Sequence, residues 1–285
     1  MAKLRNSRAP SRKAKARALV LVPFAMDEKG VANRRAQLTK VKLGPDIDFD
    51  FRPVTCGPTM FMSAQDFAFM DVAIYEAGVD AAKQGYDAVC IDTMSDSGME
   101  ALRSALDSPV ISPGKASMLF AMMLGNKFAL LGQWEPAVIR AQKFVKSLGL
   151  EAFCAGVENY DVKPDYVNLM AGKEDKTLPR MLAAGKRAVA NGADVLILGS
   201  TTMHQAHEYL SARLPIPVVN PGPLTYKLVE SVLDLGITHS RRPWPKPLIP
   251  HGDLLHAMFK AGAAHSTGGK TTKAKPRAKA KGQRR

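Results

Sequence analysis

Asp87-Ala88-Val89-Cys90-Ile91-Asp92-Thr93 and, 107 positions further on, Asp194-Val195-Leu196-Ile197-Leu198-Gly199-Ser200 are two versions of one segment. Each starts on an aspartate, continues as a strand-length apolar run and ends on a small hydroxyl residue. A second match follows each copy: Pro109-Val110-Ile111-Ser112-Pro113-Gly114 returns as Pro217-Val218-Val219-Asn220-Pro221-Gly222, at an offset of 108. Both copies read as strand, hydroxyl, helix, strand and a polar-Pro-Gly turn. Duplicating an α/β lobe brings matching strand ends together, which sets Thr93 and Ser200 facing each other across one cleft.

Outward from these segments the same alternation continues. Residues 18–24 form a continuous apolar run, the pattern of a strand buried on both faces. A helix is expected over 31–41, a strand over 47–54 and a helix over 66–84, stopped at Gly85. The first repeated unit then gives strand 88–92, helix 98–106, strand 109–111 and helix 115–124. The second half opens with strand 128–132, helix 135–146 and strand 151–155, then helix 178–191 and the second repeated unit. Strands alternating with helices of this length predict parallel sheets covered on both faces. The fold class is therefore α/β: two pseudo-symmetric lobes, each a parallel four-stranded sheet flanked by helices, with the active cleft between them. The expected organisation is a disordered basic tail (1–17), lobe 1 (18–124), lobe 2 (125–235), a wrapping segment (236–262) and a second disordered basic tail (263–285). Within the wrapping segment, Pro243-Trp244-Pro245-Lys246-Pro247 excludes regular helix and central strand, and a short helix is expected near 253–260.

Net charge is +14 over 285 residues, but the two tails hold the excess. Residues 1–17 and 270–285 carry fifteen Lys and Arg and no acid, leaving 25 basic against 26 acidic residues in the body. The charge thus describes solubilising tails, or weak salt-sensitive contacts with nucleic acid or other acidic surfaces, and says little about the folded part. Residues 1–17 are Arg/Ser-rich like a transit peptide, yet only Met1 and Leu4 offer an apolar face. No secretory apolar region and no membrane-spanning run is present. Three widely spaced cysteines, two of them (Cys90 and Cys154) in strand-like runs, indicate neither a disulfide framework nor a zinc site, and the chain reads as cytoplasmic. The oligomeric state, a homo-oligomer included, stays open.

In open α/β sheets ligands bind beyond the carboxyl ends of the strands. That rule selects Pro23 and Phe24, Thr93 to Ser95, Ser112, Gln133 and Trp134, Ser200 to Thr202, and Asn220. Capping patterns Ser97-x-x-Glu100 and Thr202-x-x-Gln205 open the following helices. Two helix N-termini arriving from opposite sides make a site for a small anion, or for an oxyanion formed between them. With Thr202 as N-cap, His204 falls in the first helical turn, where it pairs with Ser200 as a general base or simply caps and solvates. Asp92 is either a base or a local cap. His204, His207, Asp92 and Asp96 form no defined metal-ligand pattern, so no metal is expected. Cys56 lies outside a strand core and is weighed as a cleft thiol against a buried turn cysteine. Arg241 and Arg242 are weighed as carboxylate contacts against solvated loop residues. The run 118–124 reads as packing at the lobe interface.

Thr93-Met94-Ser95-Asp96-Ser97-Gly98-Met99, Pro113-Gly114-Lys115-Ala116-Ser117-Met118 and Leu198-Gly199-Ser200-Thr201-Thr202-Met203, set in this two-lobed pattern, resemble the aspartate/glutamate/hydantoin racemase superfamily, in particular its hydantoin-racemase-like branch. The resemblance covers roughly residues 18–247. It implies a cofactor-independent isomerase that moves a proton at a carbon α to a carbonyl of a small carboxylate, amide or cyclic imide, using one cysteine after the equivalent strand of each lobe. Thr93 and Ser200 stand where those cysteines would be. An alcohol needs a strong base beside it where a thiol does not, so two-thiol racemisation is excluded. What remains is hydroxyls orienting substrate while another group (His204 or Asp92) moves the proton, with the N–H groups of Met94, Ser95, Thr201 and Thr202 holding the oxyanion. The alternatives are a hydrolase, lyase or decarboxylase built on Ser200 and His204, or a protein that only binds small anions.

Overall fold

The apolar run at 18–24 supplies the central strand that its pattern demands. In the computed structural model, which describes residues 15–163 and 174–268, the first sheet consists of β1 (Ala16–Val22), β2 (Ile47–Pro53), β3 (Ala88–Ile91) and β4 (Val110–Ile111), in the order β2-β1-β3-β4. The second consists of β5 (Phe128–Gly132), β6 (Cys154–Asn159), β7 (Val195–Ile197) and β8 (Val218–Val219), in the equivalent order β6-β5-β7-β8. Every pairing is parallel. Parallel neighbours require crossovers, and the helices provide them. The two four-stranded sheets flanked by helices are the α/β architecture expected. The expected basic tails lie largely in 1–14 and 269–285, outside the described residues.

Successive side chains of each central strand enter opposite layers, as the period of two requires. Leu19 and Leu21 pack with Met70, Ile74 and Leu102, which belong to α2 (Ala64–Gly78) and α3 (Met99–Ala105). Ala18, Val20 and Val22 face the other way, towards Val31 of α1 (Glu28–Arg35). The remaining partner of that face comes from the other half of the sequence. Tyr226 and Val229 of α8 (Pro221–Asp234) complete the layer, with the Tyr226 ring edge-on to Phe49 and Phe51 at 5.4 and 6.0 Å. The exchange is reciprocal. Met118 and Ala121 of α4 (Pro113–Ala121) pack on Phe128, Leu130, Val195 and Ile197 of the second sheet, beside α5 (Glu135–Ser147). The opposite face of that sheet is covered by α6 (Glu174–Ala190) and α7 (His204–Ser211). Each lobe therefore gives its last helix to the other lobe's core. Only one face of the 118–124 run takes part: Met118 is buried, whereas Met123 is 78% exposed.

Several element boundaries differ from expectation for local reasons. The strand expected at 151–155 starts at Cys154, because Gly149 (φ 69°) ends α5 and Glu151–Phe153 form a 3-10 turn. The helix expected over 31–41 starts earlier, where Asp27 accepts from the Gly30 N–H, and breaks into a 3-10 turn at Ala36–Lys40. A Ser63/Asp66 capping box starts α2, which ends at Gly78 rather than near Gln84. The capping boxes expected at Ser97 and Thr202 do not form. The N-caps are Gly98 (φ 72°) and Met203, neither with a side-chain bond, because the Ser97 and Thr202 hydroxyls are engaged with Ser95 and Ser200.

After α8 the chain wraps over the end of α3. The Arg241 guanidinium donates to the carbonyls of Arg103 (2.6 Å), Ser104 (3.0 Å) and Leu106 and pairs with Asp107 at 2.6 Å. It thereby satisfies carbonyls that a helix C-terminus leaves open, so Arg241 is a structural clamp. The final helix, α9 (Gly252–Gly268), is longer than the short stretch expected. Its Phe259 is buried in the α2/α3 layer near Cys56 and Phe69. Its His256 sits between Glu76 (2.8 Å) and Asp80 (2.7 Å) of the α2 region.

Two stability predictions follow from this packing. The Tyr226 hydroxyl is buried with no partner among the described residues. Tyr226→Phe should therefore raise unfolding free energy by about 1 kcal/mol, while Tyr226→Ala should lower it by about 3–5 kcal/mol, both read from urea unfolding. Hydrogen bonds donated to Glu76 and then to Asp80 raise the His256 pKa. A raised folded-state value stabilises fully below the ordinary value of about 6.5, and the stabilisation is lost as pH rises through the folded value. The melting-temperature difference between wild type and His256→Ala should thus be larger at acidic than at alkaline pH. It should correspond to about 1 kcal/mol at most, because the pair is partly exposed and screened.

Candidate active site

The loops that leave β3 and β7 share one hydroxyl-pairing pattern. Thr93 and Ser95 hydroxyls hydrogen-bond at 3.1 Å, and Ser200 and Thr202, each 107 positions later, do so at 3.2 Å. The backbone beyond each hydroxyl presses on the next Pro-Gly helix start. A Cβ on Gly114 would come within 2.4 Å of the Met94 carbonyl, and one on Gly222 within 2.5 Å of the Thr201 carbonyl. Glycine is therefore obligatory at both positions. The Thr201 hydroxyl reaches the Asp92 carbonyl at 3.5 Å, joining the two loops across the lobes.

Between them lies a cavity of about 170 Å³. Its floor is Asp92, Thr93, Met94 and Ser95 from one lobe and Gly199, Ser200, Thr201 and Thr202 from the other. Pro23 and Phe24 after β1, with Gln133 and Trp134 after β5, continue the lining, so most strand-end residues expected at the site are brought together. The walls were not legible in the sequence: Phe61, Phe67, Met118, Arg34, Arg140 and Phe144. Phe24 and Phe61 stack at 4.6 Å, and Phe61 meets Phe67 at 5.7 Å. None of the three cysteines lines the cavity; Cys56 is packed in the α2/α3 layer, where burial raises its pKa.

Asp92 distinguishes the two halves. Its counterpart is Gly199, where a Cβ would stand 1.9 Å from the Leu131 carbonyl, so no side chain fits there. Asp92 instead carries a carboxylate bonded to the Arg34 guanidinium at 3.0 Å, with side chains only 1% and 5% exposed. Burial raises the Asp92 pKa, opposed by the Arg34 charge and by hydrogen bonding from Thr201. Asp96 is the second asymmetry. Held at φ 53°, it accepts from the Ser112 hydroxyl (2.6 Å) and the N–H groups of Gly114 (2.7 Å) and Lys115 (2.9 Å). The N-terminus of α4 is thus occupied by a carboxylate of the chain. Ser112 is consumed in that cap and does not line the cavity.

His204 and Asn220 are also placed elsewhere. Because Met203 rather than Thr202 is the N-cap, His204 opens α7 on the side of a second cavity of about 420 Å³, shared with Lys40, His207, Glu208 and Asn220. Ser200 bonds Thr202, and the His204 Nδ1 has no partner among the described residues. Burial, then the nearby Lys40, lowers the His204 pKa. Among the described residues no three His, Cys, Asp or Glu side chains cluster as a metal site, and no helix is long and apolar enough to cross a membrane.

Comparison with known proteins agrees with this geometry. Residues 32–229 match the family described as Asp/Glu/Hydantoin racemase. The hydantoin racemase of Pseudomonas sp. (strain NS671) is 25% identical over 181 residues, 63% of this chain and 72% of that protein. Allantoin racemase from Klebsiella pneumoniae superposes with a TM-score of 0.71 at 22% identity, covering 83% of this chain and 95% of that one. The allantoin racemase of Pseudomonas fluorescens gives 0.71 at 21%, covering 82% and 98%. A family match spanning well over half the chain, on a two-lobed scaffold whose strand ends close one cavity, identifies it: the protein is an enzyme of the isomerase class and belongs to the Asp/Glu/hydantoin racemase family.

Proposed function

We propose that the protein moves a proton at a carbon α to a carbonyl in a small carboxylate, amide or hydantoin-like cyclic imide bound between Thr93 and Ser200. The observation that carries this reading is the pseudo-symmetric pair of hydroxyl loops on opposite sides of one cavity, with a buried carboxylate on one of them. An alcohol is too weak a base for the step, and no thiol lines the cavity. Asp92 takes the role instead. As a carboxylate it accepts the α-proton, and the C–H electron pair moves onto the carbonyl as an enolate. The Thr93 and Ser200 hydroxyls and the N–H groups of Met94, Ser95 and Thr201 stabilise that oxyanion. The cycle ends when the Asp92 carboxyl returns its proton to the same face, and the configuration is kept. Alternatively, water delivers a proton to the opposite face, leaving hydroxide that takes up the Asp92 proton, and the configuration is inverted. Arg34 keeps Asp92 oriented and compensates its charge. A Ser200–His204 hydrolytic pair draws no support from a geometry that puts the imidazole in the second cavity.

The test is deuterium incorporation at the α-carbon in D₂O, followed by proton NMR over hydantoins, amino acids, malonates and related amides. Asp92→Asn should slow exchange about 10²–10⁴-fold; Thr93→Ala and Ser200→Ala should each cost about 10²–10³-fold. Since removing one member of a buried pair destabilises by about 3–5 kcal/mol, the double variant Arg34→Met/Asp92→Asn serves as the folded control and should be equally slow. Asp92 works in its ionised form and burial raises its pKa. Activity should therefore fall with decreasing pH at a value above the ordinary carboxylate pKa of about 3.9. An active Asp92→Asn variant, or an unchanged acid limb in its residual rate, would remove Asp92 from the mechanism.

A further inference from the structure

We infer that Arg140 binds the substrate's carboxylate, and that the substrate is a carboxylate bearing an apolar, ring-sized group rather than a neutral imide. This rests on the reading of the cavity as the substrate site. Ala137, Arg140, Ala141 and Phe144 of α5 all line the cavity, and their spacing places them on one helical face. That face carries a single charge. The guanidinium lies 4.4 Å from the centre of the Phe67 ring. Its Nε is buried without a hydrogen-bond partner, and Arg140 forms no ion pair among the described residues.

The other charged groups on the wall, Arg34 and Asp92, neutralise each other at 3.0 Å. Among the described residues, Arg140 is therefore the charge on the cavity wall that no ion pair compensates. A ligand carboxylate supplies the partner that this guanidinium lacks. Its two Nη groups form a planar fork that fits the two oxygens of a carboxylate. Phe67 beneath the fork, with Phe61 and Phe24 stacked beyond it, offers an apolar surface directly beside the anion. A ligand that is charged at one end and ring-like at the other uses both features. A neutral cyclic imide leaves the charge unanswered.

The probes are phenylacetate and its neutral isostere phenylacetamide, titrated by calorimetry into the full chain, the variants Arg140→Met and Arg140→Lys, and wild type. Wild type should bind phenylacetate more tightly than phenylacetamide. Arg140→Met, which retains the stem volume, should weaken phenylacetate about ten- to a hundredfold and leave phenylacetamide unchanged. Arg140→Lys, which keeps the charge and loses the fork, should fall between. In α-proton exchange the loss should appear in KM, with kcat little altered. Equal binding of both probes, no binding of either, or phenylacetate affinity unchanged in Arg140→Met would overturn the inference. Exchange on neutral imides that ignores Arg140 would overturn it while leaving the proton-transfer reading in place. Arg140-dependent binding with no exchange on any compound would do the reverse.

Discussion

The structure depends on the reciprocal exchange of α4 and α8. Neither sheet has a complete second face without a helix from the other lobe: Tyr226 closes the layer under β1 and β3, and Met118 closes the layer under β5 and β7. Each of these helices begins at a Pro-Gly step that lies against a strand-end carbonyl of its own lobe. Packing on the far sheet therefore fixes where the near loop stands. Thr93 and Ser200 are held opposite one another by core packing, with flexible loop contacts playing little part. Separating the lobes as rigid bodies would expose Tyr226, Met118 and their neighbours to water, at about 25 cal/mol for each Å² of apolar surface.

Duplication supplies two equivalent loops, and small departures from equivalence differentiate them. Gly199 is forced by the close approach of the Leu131 carbonyl. At the matching position the first lobe has room for a side chain, and it carries Asp92. Asp96 caps α4 through three hydrogen bonds, whereas its counterpart Met203 lies at the cavity and leaves α8 without a carboxylate cap. The loop after β7 thus presents hydroxyls without a carboxylate, while the loop after β3 presents hydroxyls and a carboxylate. A symmetric frame has become a site with one side suited to proton abstraction.

Much of this was readable from the chain. Continuous apolar runs gave the strands, the repeat gave the two lobes, and the strand-end rule gathered Pro23, Phe24, Thr93 to Ser95, Gln133, Trp134 and Ser200 to Thr202 at one place. The periodicity of a helix reveals that it has an apolar face but not which sheet that face will meet, so the exchange of α4 and α8 was invisible. The same limit hid Arg34, Phe67 and Arg140, which reach the cavity from helices at no strand end. His204, Ser112 and Asn220 were misplaced for a nearer reason. Thr202 bonds Ser200, so Met203 is the N-cap of α7 and His204 turns to the second cavity. Ser112 is bonded to Asp96, and Asn220, the N-cap of α8, lines that second cavity.

The buried pair of Arg34 and Asp92 is the feature least explained by folding. Removing two charges from water costs several kcal/mol per ion, and their attraction repays it only when geometry and further hydrogen bonds are good. An apolar pair of similar volume at these positions would give comparable stability. The pair stands at the end of β3, where Asp92 faces the cavity next to the Thr93 hydroxyl. Burial raises the carboxyl's pKa, which makes it a stronger base once ionised, and the guanidinium lets it ionise without leaving a bare charge in an apolar wall. Those two effects pull in opposite directions for stability, yet both suit the proton-accepting role proposed for Asp92. The pair is therefore better understood through the chemistry of the cavity than through the energetics of the fold.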